Sequence, residues 1–369
     1  YYLSNYQIPF INALFEAFSG LTGTGFSIFE NIKYLDPTLI IWRSSSQWIG
    51  GLYFLIFLIL FFSNSQFSFK MNNLVFTSDK SLNPEGNIEK ISFKIFFLYS
   101  ILSLIIFILL SISGVRLFNS LNLSMTIISS GGFLPTNSLN NIIKNNFQEF
   151  VLIISFFISI LNIFLLFNLF SKKKLIQKHY EDILLTIQIF VLSIILFLSI
   201  KDLTFFNSMI NVLSSISTSG ITLSGVPESF SFYLIFLSIM GGSMISNTSG
   251  IKFLRIYILL KATLTEILNL VKPNIVTNTK ILFSDFKIDN ENIKLSFLVF
   301  ISFFLSLFIL SSLLMIDDIN FEDSFKLSIL TITNTTASEL NGLSDINFAN
   351  LLTSSKIFII MFMLIGKIE

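Results

Sequence analysis

Four ten-residue segments of the chain carry hydroxyl and glycine residues in one shared order, and each follows a short apolar run. They align without a gap and read AFSGLTGTGF (17–26), SMTIISSGGF (124–133), VLSSISTSGI (212–221) and SILTITNTTA (328–337). We call these segments windows 1 to 4. The fifth position is always aliphatic, the sixth is always Ser or Thr, and the ninth is glycine in windows 1 to 3. One such segment is typical of a helix end and a turn, whereas four in register indicate an internal repeat.

The chemistry that these residue types offer is the coordination of a cation by oxygen atoms. Backbone carbonyls and hydroxyls that point at one axis can replace the hydration shell of an alkali cation. Glycine is expected where successive carbonyls turn inward, because a β-carbon disfavours the backbone angles required. The Ser and Thr hydroxyls would add ligands or cap the short helices. Because ion transfer makes and breaks no covalent bond, the windows predict a transporter and not an enzyme.

The composition places the windows in a membrane. The chain has 369 residues, of which 53% are hydrophobic and 12% charged, and a soluble domain has about twice that charged fraction. We predict membrane-spanning helices because several apolar runs are long enough to cross a bilayer. These runs lie near 39–62, 91–114, 147–170, 181–200, 230–260, 294–316 and 352–369. The chain has no cysteine and one histidine, His179, so a transition-metal site is not expected. We interpret His179 as a solvated loop residue.

Each window stands between two apolar runs, on a stretch too short to cross a bilayer. The predicted fold is an all-α integral membrane protein with four pseudo-symmetric helix–pore loop–helix repeats around a central ion pore. Repeat 1 covers 1–62 without its first helix, repeat 2 covers 91–170, repeat 3 covers 181–260, and repeat 4 covers 294–369 with an incomplete last helix. The segments 63–90, 171–180 and 261–293 join the repeats. The absence of these two helix parts leads us to expect a chain truncated at both ends.

The distribution of basic residues predicts the orientation. Fifteen of the 23 Lys and Arg residues lie in or beside the joining segments, and cytoplasmic loops carry such an excess. We therefore expect cytoplasmic joins, windows that approach from outside, and a multi-pass protein of the plasma (inner) membrane. The run SKKKLIQK (171–178) could bind anionic lipid or a protein partner, or simply reflect this topology. Nothing in the sequence predicts a nucleic-acid partner.

The windows resemble the four pore loops of the Trk/Ktr/HKT superfamily of potassium transporters. Three further stretches are similar to that family, namely WRSSSQWIGG (42–51), GGSMISNTSGIK (241–252) and GKIE (366–369), where the family usually has Gly-Arg-Leu-Glu. The resemblance implies potassium uptake through one ion path per chain, with K⁺ as the transported ion and no prosthetic group. It also implies a homodimer and a separate cytosolic ring of nucleotide-binding regulatory subunits.

The resemblance also assigns functional residues. The implied K⁺ filter consists of window positions six to nine: Thr22, Gly23, Thr24, Gly25, Ser129, Ser130, Gly131, Gly132, Ser217, Thr218, Ser219, Gly220, Thr333, Asn334, Thr335 and Thr336. The implied gating residues lie in an intramembrane loop (241–250) and the last apolar run: Gly241, Gly242, Ser243, Ser246, Asn247, Thr248, Ser249, Gly250 and Lys367. Independently of the family, small polar residues at membrane depth require a cavity or protein partners. The simpler interpretation of the segment 241–250 is a turn between two short helices. The simpler interpretation of Lys367 is a side chain that reaches the membrane interface.

Two positions depart from the family pattern. Thr336 stands where the family has glycine, and a β-branched residue is an outlier at positive φ. Either this quarter of the filter has a different backbone or the alignment is shifted by about one residue. We hypothesise weaker discrimination between K⁺ and Na⁺ than in an all-glycine filter, the alternative being that three glycine quarters suffice. Lys367 replaces the family's arginine, which acts as an electrostatic barrier in the ion path, and it keeps the charge without the planar fork.

Three other functions compete with potassium uptake. A sodium-permeable or weakly selective member of the same superfamily is suggested by Thr336. A membrane enzyme would need acidic or histidine clusters, and the only acidic cluster, Asp317, Asp318, Glu322 and Asp323, precedes window 4. This cluster is better suited to attracting cations or to being ordinary outer-loop charge. A degenerate, non-conducting subunit is the third alternative. Arg43 and Gln47 share a helix face, and we assign them no functional role from the sequence.

Overall fold

The computed structural model describes residues 4, 6–63, 88–170, 179–201, 203–223, 226–271, 280–282, 288–338, 343 and 346–368. Within them the chain forms thirteen α-helices. In chain order they are α1 (Phe10–Thr22), α2 (Pro37–Ser63), α3 (Ile88–Ile112), α4 (Leu117–Ile128), α5 (Asn146–Ile160), α6 (Ile163–Phe170), α7 (Tyr180–Ser199), α8 (Phe205–Ile216), α9 (Ser231–Ile239), α10 (Phe253–Val271), α11 (Asn290–Ile316), α12 (Phe321–Ile332) and α13 (Thr353–Ile368). Short 3-10 turns at Ile32–Tyr34, Leu139–Asn141 and Glu228–Phe230 lie in the connections that follow windows 1 to 3.

Four short helices, α1, α4, α8 and α12, end inside the four windows, and we call them the pore helices. Each pore helix packs against the closing helix that follows it in its own repeat: α2, α5, α9 or α13. Each also packs against the closing helix of the preceding repeat, and α1 packs in this way against α13 of the fourth repeat. The ring of four repeats is therefore closed within one chain, and all four pore helices are held by equivalent neighbours.

Three opening helices, α3, α7 and α11, surround this ring and pack against the pore helices of repeats 2, 3 and 4. Among the described residues, three helical stretches are long and apolar enough to cross a membrane by length and composition: Ser92–Ile112, Tyr180–Ser199 and Asn290–Ile316. They belong to the same opening helices, and a third or less of each apolar stretch is buried. Large apolar side chains such as Ile112, Leu198 and Ile316 are exposed on them, as expected for a surface that faces lipid.

The prediction of one helix over 147–170 is wrong, because the chain leaves the helical path at Leu161 and Asn162, between α5 and α6. The Asn162 side chain accepts a hydrogen bond from Phe164 N–H (2.9 Å), which starts α6 anew. The Ile163 N–H donates to the carbonyl of Ile245 (3.1 Å), 82 residues further along the chain. The break is thus stabilised by a distant segment, and hydropathy alone does not show it.

The joining segments are only partly described. Residues 64–87, 171–178, 272–279 and 283–287 lie outside the described residues, together with most of the basic side chains that predicted the orientation. The predicted join 261–293 is too long at both ends, because α10 continues to Val271 and α11 begins at Asn290. The sequence 261–271 contains no Gly or Pro, so the helix continues until the residues that precede Pro273.

The interpretation of His179 as a solvated loop residue is wrong. It is 5% exposed and directly precedes α7. Its Nδ1 lies 3.6 Å from a carboxylate oxygen of Asp182. Buried ionisable side chains are usually paired, and the acid three residues further along the helix supplies this pairing.

Candidate functional site

The four windows end their pore helices in the same way. The seventh residue of each window is left-handed, with φ of 78° at Gly23, 54° at Ser130, 58° at Thr218 and 48° at Asn334. In every window the N–H of the seventh residue donates to the carbonyl of the fourth, over 3.0 to 3.2 Å. In windows 2 to 4 the N–H of the eighth residue also donates to the carbonyl of the third. This pair of hydrogen bonds with a left-handed residue is the Schellman motif that terminates helices.

The shared helix ends decide the alignment of window 4. Asn334 is left-handed like the three other seventh residues, so window 4 is in register and the alternative of a shifted alignment is wrong. The difference lies two residues later. The ninth residue has positive φ at Gly25 (77°) and Gly220 (63°), but not at Gly132 or Thr336. Thr336 therefore occupies a backbone position that a β-branched residue can adopt.

The hydroxyl groups at the sixth position bond to their own pore helices. Thr22 Oγ1 donates to Phe18 O (2.8 Å) and Thr333 Oγ1 to Ile329 O (2.9 Å), one helical turn back. Ser129 and Ser217 donate in the same manner to carbonyls of their own helices. Between the two roles that the sequence left open for these hydroxyls, the hydrogen bonds correspond to capping of the helix ends.

The ninth residues of the four windows converge on one point. A β-carbon built on Gly25 would lie 2.8 Å from Gly132 Cα and would overlap the Thr336 side chain. A β-carbon on Gly220 would lie 2.5 Å from Thr336 O and 2.8 Å from Thr336 N. Thr336 Oγ1 donates to the carbonyl of Thr24 (3.1 Å) and fills the space that a side chain on Gly132 would need. Backbone oxygens of several windows are therefore concentrated within a few ångströms.

A cavity of about 450 Å³ opens above this convergence and has the ninth residues of all four windows at its floor. Its walls include Glu30, Asn137 and Asn347 from the connections that follow windows 1, 2 and 4. We call this cavity the vestibule. It offers a space of mixed polar and apolar lining that is large enough for hydrated ions. This space lies beside the ninth window residues and not beside the sixth residues, where the pore helices end.

The intramembrane loop, which connects α9 to α10, closes the opposite side of the convergence. Asn247 Nδ2 donates to Ile128 O in window 2 (2.7 Å), and Ser249 N–H donates to Thr218 Oγ1 in window 3 (3.1 Å). In the orientation that satisfies its partners, the Asn334 amide of window 4 accepts from Ser249 Oγ (3.2 Å) and donates to Thr24 Oγ1 of window 1 (2.7 Å). One loop thus contacts the three windows that follow the first in sequence.

The shape of this loop depends on its glycines and threonine. Gly250 has φ of 75°, and a β-carbon there would lie 2.8 Å from Ser238 O. Gly242 N–H donates to Thr248 Oγ1 (2.9 Å), which ties the two arms of the loop together. Ser246 Oγ donates to Ser243 O (2.7 Å) within the loop itself. The predicted loop residues are therefore brought together, but Asn247 and Ser249 make the contacts with the windows.

Lys367 lies beneath window 1 and does not reach an interface. It is 9% exposed, and its Nζ donates to Asn247 O of the loop (3.1 Å). The same Nζ lies 3.5 Å from the β-carbon position of Gly23 and 4.9 Å from the centre of the Phe54 ring. Lys367 thus places a basic group directly below the windows and inside an apolar run, where a charge is costly and usually functional.

The sequence interpretation missed a buried polar group behind windows 1 and 2. Glu16 is fully buried and accepts from Arg43 Nε (2.9 Å) and from Ile28 N–H (2.8 Å). Arg43, 1% exposed, lies 4.1 Å from the centre of the Phe133 ring in window 2. Gln47, one turn further along α2, accepts from Phe133 N–H (3.2 Å). The available signals were an acid inside an apolar pore helix and a basic residue in an apolar run.

No protein-family model matches the chain. An uncharacterized cation transporter of Methanocaldococcus jannaschii is 30% identical to it over 318 residues, which are 84% of this chain and 64% of that protein. The Trk system potassium uptake protein TrkH of Salmonella typhimurium is 25% identical, over 98% of this chain and 77% of that protein. The chain thus spans less than two thirds of the archaeal relative and about three quarters of the bacterial one.

The fold is also similar to a solved structure. The crystal structure of the potassium transporter TrkH from Vibrio parahaemolyticus matches with a TM-score of 0.83 and 21% identity, over 98% of this chain and 76% of that one. The match confirms the predicted all-α membrane architecture.

Proposed function

Because this chain belongs to the TrkH/KtrB-like superfamily, we propose that it forms the pore for uptake of a monovalent cation, and that potassium is the main ion. The observation that carries this proposal is the convergence of four equivalent helix ends between a vestibule and a buried loop. Four re-entrant segments that meet on one axis can replace the hydration shell of an ion with backbone oxygens. The chain is a membrane transporter in this proposal, not an enzyme.

The proposed ion path runs from the vestibule through the four windows to the intramembrane loop. A cation in the vestibule meets the ninth residues, exchanges water for the oxygens of window positions six to nine, and then reaches the intramembrane loop and Lys367. The membrane potential provides about 2.3 kcal/mol per charge per 100 mV, and this supports uptake without a bound nucleotide. The loop and the Lys367 ammonium group act as the gate, because they stand between the windows and the far side of the chain.

The test is growth at limiting K⁺ of a bacterium that lacks its own potassium uptake systems. The chain should be expressed within its full-length protein, and rescue should disappear with Gly220→Asp or Gly25→Asp. Gly114→Asp is the matched control, because Gly114 also has positive φ (90°) but lies on the surface with only Gln148 within 4 Å of its β-carbon position. Rescue by the Gly220→Asp variant at equal membrane expression would contradict the proposed path.

Thr336 favours a second candidate, a sodium-permeable or weakly selective member of the same superfamily. Its hydroxyl group bonds to Thr24 O in the ring of ninth residues, so one quarter of the ring carries a side chain where the others have none. Comparing K⁺/Na⁺ permeability ratios of the native protein and Thr336→Gly tests this candidate. A higher ratio in the variant supports it, and identical ratios contradict it. Failure of both ions to pass in the native protein would favour the non-conducting alternative.

Partners and location complete the proposal. The family resemblance supports a homodimer and a cytosolic ring of nucleotide-binding regulatory subunits, in the plasma (inner) membrane. Size measurement in detergent, with and without the regulatory subunit, tests both assembly proposals.

The gate role of the loop predicts a leak. Shortening the segment 241–250 should raise cation flux, and unchanged flux at equal expression would contradict gating.

A further inference from the structure

The intramembrane loop is attached at its far side to the broken helix of repeat 2. Ser243 N–H donates to Ile160 O (3.2 Å), and Ile163 N–H donates to Ile245 O (3.1 Å). The backbones approach closely here, since a β-carbon on Gly242 would lie 2.9 Å from Ile160 O. The break between α5 and α6 and the first arm of the loop therefore support each other. We call this contact, residues 160–163 with 242–245, the joint.

Two consecutive carboxylates hold the joint from the start of α7. Glu181 Oε1 accepts from Met244 N–H in the loop (2.7 Å). Asp182 Oδ1 accepts from Asn162 N–H in the helix break (3.0 Å). Each acid thus receives one backbone N–H that its own segment leaves unsatisfied, one on either side of the joint. Hydrogen bonds from backbone N–H groups to a carboxylate are among the stronger ones in proteins.

Two basic side chains among the described residues, His179 and Lys252, belong to this region. His179 Nδ1 lies 3.6 Å from Asp182 Oδ2. Lys252, at the end of the loop, donates to Ser246 O (3.3 Å) and to Thr248 O. The carboxylate pair and Lys252 therefore act on opposite arms of the same loop. This arrangement fixes the loop from both arms while Asn247 and Ser249 contact the windows.

We propose that Glu181 and Asp182 are positioning residues of the gate, which keep the intramembrane loop seated beneath the windows by anchoring it to the broken helix of repeat 2. The proposal rests on the proposed function in one respect, the role of the loop as the gate. Loss of the Glu181 carboxylate frees Met244 N–H in a buried site. The loop then leaves its closed position more often, whereas the windows keep all their own contacts.

The experiment uses thiol labelling, for which the cysteine-free chain is well suited. Ser243→Cys places the only thiol in the loop at a fully buried position whose hydroxyl group has no hydrogen-bond partner among the described residues. The rate of reaction with a membrane-permeant maleimide is measured in membranes for the full chain, then with Glu181→Ala, Glu181→Gln or Glu228→Ala added. Glu228→Ala is the matched control, because Glu228 is an exposed acid in the same repeat. A second reporter, Ser193→Cys, is buried in α7 away from the joint.

The expected result is a labelling rate at Ser243→Cys at least about tenfold higher with Glu181→Ala, the scale expected when one buried N–H loses its acceptor. The increase should be smaller with Glu181→Gln, whose amide oxygen can still accept from Met244 N–H, and absent with Glu228→Ala. An unchanged rate with Glu181→Ala would overturn the proposal, as would an equal increase at Ser193→Cys, which would indicate general loosening.

Cation flux in the same variants separates this inference from the proposed function. Faster labelling together with a higher basal flux supports both the anchor and the gate. Faster labelling at unchanged flux supports the anchor and contradicts the gate role of the loop. Because labelling needs no transport activity, the result on Glu181 stands whichever ion the protein carries.

Discussion

Repeats 1 and 3 differ from repeats 2 and 4, although all four pore helices end with the hydrogen bond from the seventh to the fourth window residue. The left-handed seventh residue is common to all windows, but a left-handed ninth residue occurs only at Gly25 and Gly220. The helix end is fixed by local backbone bonding, which the repeats share. Two residues later the chain is shaped by contacts between windows. At this ninth position the four windows no longer share one backbone conformation, and only windows 1 and 3 are alike in having positive φ.

The residue that precedes each window shows the same division. In repeats 1 and 3 it is polar, and it accepts the N–H of the residue two positions after the window: Glu16 from Ile28 (2.8 Å) and Asn211 from Leu223 (3.0 Å). In repeats 2 and 4 the equivalent residues are Leu123 and Leu327. A buried N–H requires an acceptor, so opposite repeats that turn alike at the ninth residue also share this support. Of these two acceptors, only Glu16 of repeat 1 is an acidic side chain. The closing helix of that repeat, α2, supplies its partner Arg43.

The largest expected effect comes from making repeat 1 resemble repeat 2 at this position. Glu16→Leu leaves Arg43 without its carboxylate in a buried site, and an uncompensated buried charge costs about 3–5 kcal/mol. The midpoint of thermal unfolding in detergent should fall accordingly. Arg43→Met in addition should recover the part of the loss that the unpaired charge causes, because replacing a whole buried ion pair with apolar residues is often neutral, whereas Ile28 N–H still lacks its acceptor.

Asn211→Leu is the matched control in repeat 3. It removes the same acceptor without isolating a charge, so the loss should be about 1–3 kcal/mol, the cost of one unsatisfied buried N–H. Equal losses in the two repeats would contradict the view that the ion pair distinguishes repeat 1. Failure of the double variant Glu16→Leu/Arg43→Met to recover would point to an additional role of Arg43 at Phe133.

The second prediction separates the two kinds of ninth glycine. Gly132→Ala should cost about 1–3 kcal/mol by overpacking, because its β-carbon position overlaps the Thr336 side chain. Thr336→Gly in the same chain should restore part of the stability and of the transport, limited by Ser219 O at 2.7 Å. Gly220→Ala should not be rescued by Thr336→Gly, since its β-carbon would meet the backbone of Thr336 and its φ is left-handed.

A double-mutant cycle measures this difference. The coupling between positions 132 and 336 should be large and favourable, and the coupling between 220 and 336 should be small. Equal rescue of both glycine variants would mean that the side chain of Thr336 is not what separates the two pairs of repeats.

The repeat architecture could be predicted from the sequence because its signals are local. Windows of one hydroxyl and glycine pattern, each after a short apolar run, indicate short helices that end at membrane depth. The sites that were missed depend on distant partners. Glu16 gains its role from Arg43 and Ile28, and the break at Asn162 gains its stability from Ile245 and Asp182. Hydropathy describes each run by itself and contains no information about such partners.

The residue type at position 336 also depends on contacts between windows, which the sequence of window 4 alone does not show. Glycine occurs at the ninth position three times, and a β-branched residue is an outlier at positive φ, so the sequence left open either a different backbone at Thr336 or a shifted alignment. In fact Gly132 has no positive φ, and it is adjacent to Thr336 in the ring. Glycine at 132 is explained by the space that Thr336 takes, and threonine at 336 by the ordinary backbone there. One pattern thus covers two physical causes, and only the packing between windows separates them.

The smallest expected effect concerns the Thr336 hydroxyl group itself. Thr336→Val keeps the shape that fills the space beside Gly132 and removes the hydrogen bond to Thr24 O (3.1 Å), so the stability loss should be about 0.5–1.5 kcal/mol. Because Thr24 O then has one donor fewer, it is more available to a cation, and the half-saturating K⁺ concentration for uptake should fall while the maximal rate stays similar. Thr336→Ser is the control, since it keeps the hydroxyl group and should leave the half-saturating concentration unchanged. If Thr336→Ser lowers the half-saturating concentration and Thr336→Val does not, the methyl group and not the hydrogen bond to Thr24 distinguishes window 4 from its three counterparts.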